Sequence, residues 1–251
     1  MQISELHLKT RNLSTQKAFY QTTIGLPLLE ETATSFTFQA GATRLTFHTT
    51  AQENSFYHFA LTIPHNKLAQ AKQWLAERTP LLTQNGQDEF PFQTWDARSV
   101  YFRDPAGNIG ELIVHYSLPD EAKGEFSARD LLYVSEIGLV VDDVRAQVDT
   151  LKRKFALQTF QGEDSDTFTV LGDARGRFIV VKTGRIWYPT SDTAAVIVPL
   201  DVTIEGSREK NYRALPYPYT IRTTPDSLKT VPTPDSPNAT STSAASGSAR
   251  R

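Results

Sequence analysis

The sequence predicts an α+β fold built from repeated β-α-β-β-β modules, and three observations carry that prediction. A strand-then-helix pattern recurs three times along the chain. Each recurrence is followed by short runs of alternating polar and apolar residues, the mark of half-buried strands. A short sheet with one helix on its face also keeps an apolar underside, so such units are expected to pair.

In the first unit "ELHLKTRNL" (5–13) reads as a strand and "STQKAFYQTTIGL" as a helix, with Asn12 at its N-cap and Gly25 at its end. "SFTFQA" and "TRLTFHT" follow as strands, separated by Ala-Gly-Ala. The second unit repeats this with "HFALTIPHN" (58–66), a helix carrying Leu68, Ala71 and Leu75 on one face, and strands in "RSVYF" and "NIGELIVHY". Asn66 is its expected N-cap. The third opens with "EIGLVVDDV" (136–144), capped at Asp143. Val144, Val148, Leu151 and Phe155 then fall at i, i+4, i+7 and i+11, a helical stripe. "DTFTVLG" and "GRFIVVK" complete it.

The expected domains follow from these units. Modules 1–52 and 53–116 pair into a main cup, 117–130 is a linker, and 131–205 is a third module left partly unpaired. The run "AAVIVPLDVTI" (194–204) supplies one further strand. From residue 206 to 251 apolar clusters vanish and the end is rich in Ser, Thr and Pro, so a disordered tail is expected, with Tyr217 or Tyr219 packing against the body. An incompletely paired module exposes a sheet face, which makes a homodimer the expected assembly.

Composition removes several classes of function. The net charge is −2 and basic residues are scattered, so neither nucleic acid nor a membrane is an expected partner. Absence of cysteine excludes disulfides, thiolate metal sites and a cysteine nucleophile. "MQISELHLKT" starts directly in a strand pattern without a signal-peptide core, and the expected location is the cytoplasm.

One short stretch raises a chemical question. In "YFRDPAGNIGELIVHY" (101–116), Glu111 stands inside an otherwise apolar strand. An ionised carboxylate is rarely buried without a partner.

The repeated units, "AFYQTTIGLPL" and "DPAGNIGELI" together resemble the vicinal oxygen chelate superfamily, which includes glyoxalases, bleomycin-resistance proteins, fosfomycin-resistance transferases and extradiol dioxygenases. The resemblance covers residues 1–116 well and 131–205 more loosely. It implies a cup whose metal ligands come from the first and last strands of paired modules. Carried over by position, Glu5, His58 and Glu111 are the implied metal ligands, and Arg44 takes the fourth corner, where a guanidinium cannot coordinate. Glu136 and Arg177 occupy the corresponding places of the third unit.

The implied cofactor is a divalent metal (Fe, Mn, Zn or Ni), and the implied activity is that of a glyoxalase/dioxygenase-like enzyme acting on a small molecule with vicinal oxygens. Glu111 and Arg44 are the expected catalytic groups. His7, Trp95 and Tyr101 are the expected substrate contacts. The alternative is a metal-free protein that binds or sequesters a small molecule, as bleomycin-resistance proteins do. Recurrence of Glu with Arg in two units favours that second reading, since both pairs fit cross-strand ion pairs.

Overall fold

The computed structural model describes residues 1–52 and 55–225. Its described residues form two mixed seven-stranded sheets with three α-helices on their faces. Two βαβββ units, a third with two strands after its helix, and the α+β class are as expected. The pairing of the units is not.

The first unit runs β1 (Ile3–Thr10), α1 (Leu13–Ala18), β2 (Leu28–Glu31), β3 (Ser35–Ala40) and β4 (Thr43–Thr49). Asn12 caps α1 by accepting from the Thr15 amide, and a π-helical turn over Phe19–Ile24 extends it. Gly25 closes that turn in the left-handed region, at φ 82°. The second unit comprises β5 (His58–Thr62), α2 (Leu68–Ala76), β6 (Phe90–Phe92), β7 (Ala97–Arg103) and β8 (Ile109–His115). Asn66 does not cap α2: a 3-10 turn over His65–Lys67 precedes the helix, and the Asn66 amide bonds the backbone of Ala122 in the linker instead. The third unit has β9 (Tyr133–Val141), α3 (Val144–Phe155), β10 (Phe168–Asp173) and β11 (Gly176–Lys182). Asp143 caps α3, whose Val144, Val148 and Leu151 are buried.

Three C-terminal strands follow: β12 (Leu200–Gly206), β13 (Lys210–Arg213) and β14 (Tyr219–Pro225). They pair with the first unit, in the order β13-β14-β12-β1-β4-β3-β2. The second and third units share the other sheet, in the order β10-β11-β9-β5-β8-β7-β6. The expected joining of 1–52 with 53–116 is therefore corrected. Outer units pair with each other, and inner units pair with each other.

The tail is corrected too, because 206–225 is ordered. Tyr219, Ile221 and Thr223 alternate inward on β14, a pattern short enough to be hidden among the prolines. Tyr219 donates its hydroxyl to the Val140 carbonyl, and the Tyr217 hydroxyl accepts from the Asp142 amide at 3.1 Å. Residues 226–251, the rest of the expected disordered tail, lie outside the described residues. With the third module paired inside the chain, the homodimer expectation loses its premise.

The central strands β5, β8 and β9 of the inner sheet are buried on both faces, which explains their near-continuous apolar runs. Side chains alternate by the period of two. Phe59, Leu61, Leu112, Val114, Ile137, Leu139, Phe178 and Val180 enter the main core with the helices and the outer sheet. Ile109, Val140, Ile179 and Val181 line the opposite, concave face in a second apolar cluster. Each fully buried side chain of this size contributes roughly 1.5–3 kcal/mol. Glu111, flanked by core-facing Gly110 and Leu112, falls on the concave face.

Candidate metal and ligand site

Four of the polar side chains on that concave face form one cluster. His58 comes from β5, Glu111 from β8, Glu136 from β9 and Arg177 from β11; their side chains are no more than 7% exposed. His58 Nε2 lies 3.5 Å from Glu111 Oε2 and 3.9 Å from Glu136 Oε2. One ligand atom from each of the three lies within 4.8 Å of the others.

The other atom of each group is already engaged. His58 Nδ1 is 3.3 Å from the Ile109 carbonyl, which can only accept, so in the neutral imidazole Nδ1 carries the proton and Nε2 keeps its lone pair. Ser99 donates its hydroxyl to Glu111 Oε1. Arg177 Nε lies 2.9 Å from Glu136 Oε1. Three free ligand atoms thus converge while a second set of groups fixes their orientation, the usual construction of a metal-binding shell. One imidazole nitrogen and two carboxylate oxygens suit a divalent ion such as Fe, Mn or Zn. The residues fit the group that the resemblance implies.

Charge is balanced tightly here. Burial and the neighbouring Glu136 push Glu111 up to about 7, against the pull of His58 and Ser99. Burial alone would raise Glu136 as well, but the Arg177 guanidinium holds its carboxyl below the ordinary range. Burial disfavours a charged His58, yet the neighbouring Glu136 and Glu111 carboxylates raise it overall. Tyr101 shares a hydrogen bond with Glu111, and burial with those same charges keeps its hydroxyl protonated.

Arg177 is itself fully buried. Its guanidinium carbon lies 5.2 Å from the Trp95 ring centre and 4.8 Å from that of Phe160, and it donates to His115 Nε2. His115, driven down to about 4 by burial and by Arg177, is the neutral acceptor that this bond requires.

Above the cluster opens a cavity of about 260 Å³. Phe92, Trp95, Tyr101, Phe168, Trp187 and Tyr188 supply its aromatic walls. Trp187 sits on the turn "GRIWYPT", fastened by the bridge between Ile186 and Ala194. Its ring centre lies 5.2 Å from that of His58. Gly138 makes room for it: a Cβ there would lie 2.6 Å from the indole Cη2.

The expected residues are therefore split between two sheets. His58, Glu111, Trp95 and Tyr101 meet in the inner cup. Glu5, Arg44 and His7 lie on the outer sheet and are corrected as members of this site. Glu5 is 42% exposed and accepts from the Thr203 hydroxyl, whereas Arg44 pairs at 2.6 Å with Glu30 rather than with its register neighbour Glu5. His7 Nδ1 contacts His48 Nε2 at 3.1 Å. Glu136 stands where Glu5 was expected, because β9 and not β1 lies beside β5. The signal was present: "SEIG" holds the same place in its unit as "SELH" does in the first.

No protein-family model matches the sequence, and no curated protein does. Solved structures do match in shape. The chain is similar to a "putative dioxygenase" from Bacillus subtilis subsp. subtilis str. 168 at TM-score 0.60 and 14% identity, over 89% of this chain and 85% of that one. It is also similar to a glyoxalase I mutant from Zea mays at TM-score 0.53 and 13% identity, over 88% and 91%. At these identities the likeness establishes the fold alone, which this chain shares with those two proteins.

Proposed function

For a chain with the vicinal oxygen chelate fold, we propose a small-molecule enzyme of the glyoxalase and dioxygenase kind, with a divalent metal held by His58, Glu111 and Glu136. One observation carries the reading: each of these residues turns one free ligand atom to a shared point while its second atom is engaged elsewhere. A divalent ion bound there would act as Lewis acid on vicinal substrate oxygens.

The chain's own groups divide the remaining work. Glu111, with its proton held to about pH 7, is the carboxylate able to take and return a proton at neutral pH. Tyr101 presents a protonated hydroxyl beside it. Arg177 keeps Glu136 ionised and oriented. Trp187 and Tyr188 line the cavity above the cluster and give the reacting groups an apolar surround. Sequestration without metal would account for the aromatic walls but not for three convergent, individually supported ligand atoms.

Metal content by mass spectrometry tests this, after equilibration with Fe, Mn, Zn or Ni and brief dialysis. Wild-type protein and Glu5→Gln should retain close to one equivalent of a divalent ion, and His58→Ala and Glu136→Gln should lose it. Retention by neither of the first two, or equal retention in all four, would refute the assignment.

A further inference from the structure

The cavity also has a polarity along its depth, and resting on the functional reading above, it specifies a substrate class. Its floor is made of acceptors: the Glu111 and Glu136 carboxylates and the lone pair of His58. Its walls are aromatic. Its one lining guanidinium beyond the floor is Arg185, exposed at the mouth, with its guanidinium carbon 4.8 Å from the ring centre of Phe168.

Nearby arginines are engaged. Arg98 pairs with Glu89 at 2.9 Å, and Arg103 donates to Thr193 at 2.9 Å and faces Asp192 at 3.7 Å. Arg177 belongs to Glu136. Arg185 has no carboxylate partner among the described residues. Lying over Phe168 does not consume the guanidinium's N–H donors, and a planar fork of donors matches a carboxylate.

We infer that the substrate is a flat aromatic carboxylate, bound with its ring between the aromatic walls, its carboxylate at Arg185 and its reacting oxygens at the His58–Glu111–Glu136 floor. The size agrees. A cavity of about 260 Å³ has the volume of eight or nine waters at ~30 Å³ each, enough for one or two fused rings. The orientation follows from the guanidinium at the mouth, which attracts an anionic end, and in the metal-free chain also from the floor carboxylates, which repel it.

Calorimetric titration of the full, chelator-treated chain with 2-naphthoate and with 2-naphthamide separates this from the metal question. The two probes share shape, differ in charge and lack the vicinal oxygens that a metal would bind. Wild-type protein should bind naphthoate about tenfold more tightly than naphthamide. R185Q should weaken naphthoate about tenfold and leave naphthamide within twofold, and R185K should fall between. Equal affinity for the two probes, no naphthoate binding, or an equal loss of both in R185Q would overturn the inference. A naphthoate preference in protein that never retains metal sinks the Lewis-acid reading alone; stoichiometric metal without that preference sinks the carboxylate reading alone.

Discussion

Replacing Arg177 by Met removes a fully buried cation while keeping most of the side-chain volume. At 2.9 Å and an effective dielectric constant of about 20, the attraction to Glu136 is about 6 kcal/mol. Glu136 does not forfeit all of that, because it escapes by taking a proton. From an ordinary carboxyl value of 4.5, doing so at pH 7 costs about 1.4 kcal/mol for each of 2.5 pH units, or about 3 kcal/mol. That figure agrees with the 3–5 kcal/mol typical of breaking one side of a buried pair.

The pH dependence follows from the direction of the shift. In wild type the Glu136 value is depressed, so its contribution is present above 4.5 and is lost as pH falls through the folded value. The gap between wild type and R177M should therefore be at least about 3 kcal/mol at pH 7 and shrink as pH falls through the folded Glu136 value. Urea unfolding at several pH values reads this directly. The double variant E136Q/R177M should recover most of the loss at pH 7, since no buried charge is left without a partner. A loss under about 1 kcal/mol at pH 7, or one that does not change with pH, would show that Arg177 does not hold Glu136 in its ionised form.

Other expectations concern neighbouring features. Divalent-ion affinity should rise about tenfold per pH unit below about 7 and level off above it, because Glu111 must give up its proton to coordinate; calorimetry across pH 5.5–8 checks this. In metal-free protein the raised Glu111 value should lower stability as pH rises from 4.5 towards 7, where the unfolded chain has already lost the proton, and Glu111→Gln should flatten that slope in urea titrations. Gly138→Ala should displace Trp187, cost about 1–3 kcal/mol and alter the near-ultraviolet dichroism of the indole. Asp104→Ala should cost about 3 kcal/mol in chemical unfolding, because this buried carboxyl accepts from Gln16, Tyr20 and Asn108 and from the backbone of Ala106.

Much of this architecture was legible in the sequence because it is local. The α3 stripe, the Asn12 and Asp143 caps and the strand pairs around short turns each depend on spacing over a few residues. Glu111 could be identified as anomalous for the same reason. Which unit pairs with which depends on contacts across most of the chain, and no periodicity encodes it. The error over Glu5 follows directly. "SELH" and "SEIG" are locally equivalent, and only the placement of β9 rather than β1 beside β5 selects Glu136 for the cup. Strands 210–213 and 219–225 were missed because their alternation is brief and lies among prolines.

The nesting of outer around inner units has a consequence for how the chain is made. Ribosomal synthesis releases the polypeptide from its N-terminus, and every strand of the inner sheet lies between His58 and Lys182. That sheet can close as soon as β11 has emerged. The outer sheet must wait, because Glu5 on β1 lies opposite Thr203 on β12, which is among the later parts to appear. Until then β1 keeps an unpaired edge, and closing so long a loop is the slow, entropically costly step. The half that carries the acids and the imidazole is thus completed while the first unit is still half a sheet.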